Sequence, residues 1–270
     1  MDDKGKRLYG KVAVITGGTN EIGAATAKLF AENGAYVVIA DTEDEVGARL
    51  AESIGGQFIH CDVSQESQVE SAVKLAYTWK GKLDIMFNNA SIPGPQGSIT
   101  NLSIDQFSDL LSVNINGIVH GIKHASQAMI AAGKGGSIIC TSSSAALVGG
   151  LGAHSYTLSK EAIFGVVRSS SCELGVHGIR VNCLVTHSVT PEMEMVGYKD
   201  PAEMNGGDSK ELTRTSLLQG RSGTAEDVAF AAVFLASDRE SGFITGHNLV
   251  IDGGYTSGCS HLHFTYTANF

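Results

Sequence analysis

The chain alternates short β-branched runs with stretches of helical apolar period along almost its whole length, and nothing else in it narrows the fold as far. Residues 11–16 (KVAVIT) form the first run. Residues 21–33 follow with Ile22, Ala25, Leu29 and Phe30 on one helical face. The run 36–40 (YVVIA) stops at Asp41 and leads into a helical stretch at 43–53. The pairs 58–61 with 66–79, then 83–88 with an amphipathic region at 105–131 long enough for two helices, continue the alternation. Runs at 136–141 (GSIICT), 179–185 and 248–251 complete it, with helices expected at 155–175 and 227–236. Strands joined through helices by short loops pair in parallel, and their right-handed crossovers cover both sheet faces. The expected fold is therefore α/β: one domain, a doubly wound parallel sheet with helices on both faces. A length of 270 residues suits one large core, and no repeat or linker divides it.

Composition removes several functions. The net charge is −9 and no basic cluster stands out, which argues against nucleic acid or an anionic membrane surface as a partner. The opening MDDKGKRLYGK has no apolar run of signal-peptide length, and no later segment reaches the length of a membrane span, so a cytoplasmic protein is expected. Cys61, Cys140, Cys172, Cys183 and Cys259 lack ligand spacing and read as buried free thiols in a reducing compartment. No His/Cys/Asp cluster has metal-ligand spacing, so no metal is expected. A serine-hydrolase elbow, GxSxG, is also missing. Two stretches depart from the alternation. Residues 189–220 carry two of the four prolines with Met193, Met195 and Met204, and lie where ligand loops leave the carboxyl edge of such sheets. They read as a substrate lid. The aromatic, hydroxyl-rich tail at 259–270 reads as a docked arm or a subunit contact.

The first strand runs into Thr16-Gly17-Gly18-Thr19-Asn20-Glu21-Ile22-Gly23. Gly17 and Gly23 permit a sharp turn and leave a helix amino end open to a pyrophosphate, which points to a Rossmann-like dinucleotide site. The turn is not a clean G-x-G-x-x-G. Asp41 ends the second strand, where a carboxylate accepts ribose hydroxyls and repels a 2′-phosphate. With no arginine at 41 or 42, NAD is favoured over NADP. Thr42 adjoins that carboxylate. Cys61-Asp62-Val63 ends the third strand, with Asp62 able to face adenine, and Asn88-Asn89-Ala90 ends the fourth. Asp41 and Asp62 can equally cap the helices that follow them.

The chemical centre is carried by Ser143, Tyr156 and Lys160. Tyr156 and Lys160 are four apart in HSYTLSKEAIFGVVR and share one helical face. An ammonium beside a phenol favours the phenolate, and a hydroxyl opposite can hold a substrate oxygen. That arrangement suits removing a proton from an alcohol while hydride leaves carbon.

Together these motifs make the chain resemble the short-chain dehydrogenase/reductase family over nearly its full length. The resemblance rests on the Thr16–Gly23 turn, Asn88-Asn89-Ala90, Asn114 in LLSVNINGIV, Ser143 in CTSSS, Tyr156-x-x-x-Lys160 and Ile179-Arg180-Val181-Asn182. Within the family it is similar to plant enzymes of terpenoid and lignan alcohols, especially the nepetalactol-related short-chain reductases of catmint. Some of those oxidise an iridoid lactol; others cyclise without redox turnover. The resemblance implies Tyr156 as acid/base, Lys160 on the nicotinamide ribose, Ser143 on the substrate oxygen and Asn114 organising a water relay to Lys160. Ser143 lies at the family spacing from Tyr156, with Ser142 and Ser144 as alternatives. The resemblance also implies a homotetramer packed through 105–131 and 155–175 and through the last strand and tail.

Departures from the family pattern mark the cofactor surround. Glu21 stands at the middle glycine, where it would repel a pyrophosphate unless it points outward at the positive helix end. Ser91 replaces a glycine, and Thr186-His187 replaces a Pro-Gly pair. His187 reads as a pocket base or donor, or as a plain loop histidine. The cofactor contacts are expected at Gly17, Thr19, Asn20, Glu21, Ile22, Gly23, Asp41, Thr42, Cys61, Asp62, Val63, Asn89, Ala90, Ser91, Asn114, Tyr156, Lys160, His187, Val189 and Thr190. Ile92, Ser143, Leu147, His154, His187, Met193 and Met195 should line the substrate pocket, whose apolar balance favours a small lipophilic substrate with one oxygen function. The sequence thus reads as an NAD-dependent dehydrogenase of a monoterpenoid-type alcohol or lactol. The alternative is a redox-neutral iridoid cyclase that keeps NAD as a scaffold.

Overall fold

Val12–Thr16 (β1) is buried along its whole length, because the VAVIT run has no polar face to give to solvent. A strand of that kind needs cover on both sides. The computed structural model, which describes residues 5–187, 217–218 and 222–258, provides it. Seven strands form one parallel sheet: β1, β2 (Tyr36–Asp41), β3 (Gln57–His60), β4 (Ile85–Asn88), β5 (Gly136–Ser143), β6 (Ile179–Thr186) and β7 (Asn248–Ile251). Their spatial order is β3-β2-β1-β4-β5-β6-β7. The order reverses between β1 and β4, and the crevice outside their carboxyl ends is where such sheets hold ligands.

One face is packed by α1 (Glu21–Glu32), α2 (Asp44–Ser53) and α7 (Ala225–Ala236), through Ile22, Phe30, Ala51, Val228 and Val233. The other is packed by α3 (Glu66–Lys80), α5 (Gly117–Ala132) and α6 (His154–Leu174), through Val69, Ile122, Met129, Ile163 and Val167. The region expected to hold two helices does so, as α4 (Ile104–Leu111) and α5. The two are joined by a π-helical turn at Ser112–Asn116 that the apolar period does not announce. Cys61, Cys140 and Cys183 are buried, but Cys172 is exposed on the outer face of α6, against expectation. The lid at 189–220 lies outside the described residues except for Leu217 and Leu218, and the 259–270 tail lies wholly outside them. Among the described residues no helix is long and apolar enough to cross a membrane.

Close approach of α5 to β4 depends on one glycine. A Cβ on Gly121 would lie 1.8 Å from the Asn88 side-chain oxygen and 2.9 Å from the Met86 methyl carbon. Gly121→Ala should therefore destabilise the fold by about 1–3 kcal/mol through overpacking, read as a lower urea midpoint at unchanged m-value.

Candidate active site

At the first switch-point turn, Gly17 takes φ +61°, and a Cβ on Gly23 would meet the Gly17 carbonyl oxygen at 2.1 Å. Only glycine fits at 23, so α1 begins hard against the turn. Asn20 caps the helix, its side-chain oxygen accepting from the Gly23 N–H at 2.8 Å. The amides of Glu21 and Ile22, in the first turn of the helix, have no intrahelical acceptor and suit an anion. Asn89 supports the turn from behind. Its amide donates to the carbonyls of Thr16 and Gly17 and to the Asn20 side-chain oxygen.

Asp41 does more than the sequence reading allowed. Its buried carboxylate accepts from the Thr19 N–H at 2.9 Å, and from the Thr42 and Glu43 N–H groups at 2.7 and 3.2 Å. It ties the glycine turn to the end of β2 while still offering lone pairs to a ribose. It does not cap α2, whose N-cap is Glu43, and instead serves the two amides ahead of that helix. Asp62 is similarly engaged: its Oδ1 accepts from Ser64 N–H, and its own N–H donates to Gln68. Cys61 lies between these acids, and burial, then Asp62 and Asp41, push its thiol up to about 12. Val63 is buried and its carbonyl is bonded to His120. Ala90 is half-buried over Gly17, and Thr42 and Ser91 are exposed at the rim.

Glu21 is exposed as the first residue of α1, the outward orientation that the helix position permits. It still puts a negative charge within a turn of the anion-binding amides. Glu21→Gly should tighten NAD binding by about two- to fivefold at low salt, as helix-end charges are worth that much, measured by calorimetric titration.

The other side of the crevice is set by α6 against β5. Lys160 is 2% exposed, and its ammonium donates to the Thr141 carbonyl at 3.2 Å. In return the Ser142 hydroxyl donates to the Lys160 carbonyl at 2.6 Å. The ammonium lies 5.3 Å from the Tyr156 ring centre, one turn along the helix. The three serines have become chemically distinct. Ser142 is spent on Lys160 and Ser144 on His187 at 2.7 Å, both buried. Ser143 is half-buried, and its oxygen accepts from the Ala145 N–H at 3.2 Å, so its own proton is left to donate to a ligand. The geometry thus favours Ser143 among the three.

Asn114 is completely buried in the π-helical turn. Its amide donates to the Ile92 carbonyl and to Ser159, while its oxygen accepts from the Ile92 N–H. Both N–H groups are thereby committed, and the side chain acts first as a clamp between the loop after β4 and α6. Ser159, which passes a further bond to the Tyr156 carbonyl, was missed by sequence reasoning. Its signal was only the i+3 position on the Tyr156 face.

The expected substrate pocket is partly redrawn. Ile92 and Leu147 are exposed at the mouth of the crevice. His154 departs from it: two residues before Tyr156, it sits about 200° around the helix and lines an outer groove with Leu158, Glu161 and Arg168. His187 is no solvent-facing loop histidine. It is 8% exposed, stacked on Tyr255 at 4.1 Å, and burial holds its pKa below 6.5 against the pull of Asp252. Val189, Thr190, Met193 and Met195 lie outside the described residues.

The chain is similar to known proteins over almost its whole length. Residues 17–256 match a family model described as enoyl-(acyl carrier protein) reductase. The chain is 56% identical over 271 residues to short-chain dehydrogenase reductase ATA1 of Arabidopsis thaliana, covering 98% of this chain and 100% of that protein. It is 43% identical to (+)-borneol dehydrogenase 2 of Salvia officinalis, over 93% of this chain and 91% of that one. A short-chain type dehydrogenase/reductase from Mycobacterium marinum superposes with a TM-score of 0.81 at 30% identity, covering 93% of this chain and 97% of that one.

Proposed function

Because the chain belongs to the short-chain dehydrogenase/reductase family of NAD(P)-dependent oxidoreductases, related to terpenoid dehydrogenases, we propose that it oxidises a small lipophilic alcohol or lactol of monoterpenoid type with NAD. The observation that carries this reading is the triple distinction among the serines. It leaves one hydroxyl proton, on Ser143 at the end of β5, uncommitted, while on α6 a buried ammonium lies 5.3 Å from the Tyr156 ring centre. When bound, NAD accepts the hydride that leaves the alcohol carbon. Ser143 donates to the substrate oxygen and fixes its orientation. Tyr156, as phenolate, takes the hydroxyl proton as the carbonyl forms, and the Lys160 ammonium supplies the positive charge that a phenolate needs. Asp41 supports NAD over NADP, because a 2′-phosphate would have to approach a carboxylate already anchored by three amides.

Purified protein with borneol or an iridoid lactol should form NADH with NAD and far less NADPH with NADP. Tyr156→Phe should lower that rate by about 10²–10⁴-fold, followed by absorbance at the reduced nicotinamide band. A cyclised product from a reactive dialdehyde, made without NADH and retained in Tyr156→Phe, would replace this reading with the redox-neutral cyclase.

The free thiols suit a reducing compartment, and the enzyme is assigned to the cytoplasm on that ground. The homotetramer is supported by two outer grooves of about 730 and 590 Å³ flanking α6, both of which Gly165 lines. A Cβ at Gly165 meets nothing within 4 Å among the described residues. Gly165→Leu should thus leave the subunit folded yet shift sedimentation from tetramer to smaller species.

A further inference from the structure

Thr186-His187 ends β6 where its register partner Ser143 ends β5. The His187 ring is fixed on three sides. Its Nδ1 is 2.7 Å from the Ser144 hydroxyl oxygen, its face is stacked on Tyr255 at an interplanar angle of 15°, and its backbone N–H donates to the Ile251 carbonyl at 3.3 Å. The stacked ring is held in turn by Asp252, whose carboxylate accepts from the Gly254 and Thr256 N–H groups and from the Thr256 hydroxyl. The remaining ring nitrogen, Nε2, is buried and has no hydrogen-bond partner among the described residues. Ser144 is the first residue of the 3₁₀ turn Ser144–Ala146, and Ser143 caps that turn by accepting from the Ala145 N–H. Movement of Ser144 therefore reaches the Ser143 hydroxyl through one shared turn.

We propose that His187 is a positioning residue, a buried strut that fixes the orientation of the Ser143 hydroxyl by holding the next residue, Ser144. The proposal rests on the reading of Ser143 as the group that orients the substrate oxygen. It also gives the site a dependence on protonation. Whichever tautomer the ring holds, a further proton creates two N–H donors where Ser144 accepts only one. The second would lie at buried Nε2. Among the described residues, the charged group facing the ring is Asp252 of the turn after β7, and its carboxylate is already engaged by Gly254 and Thr256. The other packed groups are the Tyr255 phenol from the same turn and the Ser144 hydroxyl from the 3₁₀ turn after β5. Burial outweighs the attraction to Asp252 and keeps the imidazole neutral at pH 7. The folded protein binds this proton less readily than the unfolded chain. The contribution to stability is complete above pH 6.5 and is lost as pH falls through the lower, folded midpoint.

The first test needs no turnover. In isotopically labelled wild-type protein, the His187 ring should titrate below 6.5, and the Ser143 and Ala145 amide resonances should move with the same midpoint. That step should vanish in His187→Phe, which keeps the stack on Tyr255. Amides indifferent to the ring would overturn the strut even if no alcohol proved to be a substrate, whereas NADH formation alone decides the dehydrogenase reading. Where turnover is seen, His187→Phe should lower kcat about tenfold, the worth of one buried hydrogen bond, with the NAD dissociation constant unchanged and the acid limb of the kcat profile lost. His187→Asn, which returns an amide near the Nδ1 position, should recover most of kcat without the acid limb. Should the phenylalanine variant fail to fold, Ser144→Ala breaks the same bond from the other end and must reproduce both effects. Wild-type kcat with an unchanged acid limb in either variant would overturn the proposal.

Discussion

The docking of α6 on β5 through Lys160 is the constraint from which the catalytic end follows. An ammonium at 2% exposure has lost nearly all contact with water and must be hydrogen-bonded inside the protein. It is bonded to the Thr141 carbonyl, and Ser142 returns a bond to the Lys160 backbone. Those two contacts fix the register of the helix on the strand at a single residue. Once that register is set, Tyr156 is one turn back along the helix, and Ser143 is the next strand residue beyond the contact. Both are thus positioned by a buried charge rather than by each other.

At the opposite side of the crevice the same economy appears with the sign reversed. A carboxylate, Asp41, is buried and anchored by three backbone N–H groups, and one of these belongs to the glycine turn. The turn, the end of β2 and the carboxylate form one rigid unit, backed by the Asn89 amide. Rigidity matters here because a dinucleotide gains affinity from amides that need no reordering when it arrives. Glu21 works against that gain electrostatically but not sterically, since it points to solvent.

The architecture was legible because its strands are covered on both faces. Residues such as VAVIT and YVVIA have no polar positions to misread, and the glycine turns and strand-end acids punctuate them. Tyr156 and Lys160 were legible for a similar reason, because helical period places them on one face, whereas Ser143 was reached only through the family spacing to Tyr156. What sequence could not supply was the partner of each polar side chain. Nothing local distinguishes Ser142, Ser143 and Ser144; their separation comes from Lys160, Ala145 and His187, which lie up to 43 residues away. The Asn114 clamp depends on a π-helical turn that leaves no mark on apolar period. His154, two residues before Tyr156, lines an outer groove with Leu158, Glu161 and Arg168, as its position about 200° around the helix implies.

The distribution of hydrogen bonds across the carboxyl edge has a consequence for how the site tolerates change. Three segments meet there: the loop after β4 is held by Asn114, the end of β5 by Lys160, and His187, the residue that follows β6, is tied to Ser144. The first two share α6, since Asn114 is bonded to Ser159 and Lys160 follows directly. Changes at these positions should therefore be non-additive, because removing one partner already loosens the helix turn that holds the other. The third connection reaches the site through Ser144 and the turn after β7, by a hydrogen bond and a stack independent of those made by Ser159 and Lys160. That independence explains how the chain can carry Thr186-His187 in place of a more common pair while its tyrosine and lysine stay unaltered. The β6 end is tied to Ser144 and the turn after β7, whereas Tyr156 and Lys160 are secured by a separate set of contacts on the helix and β5.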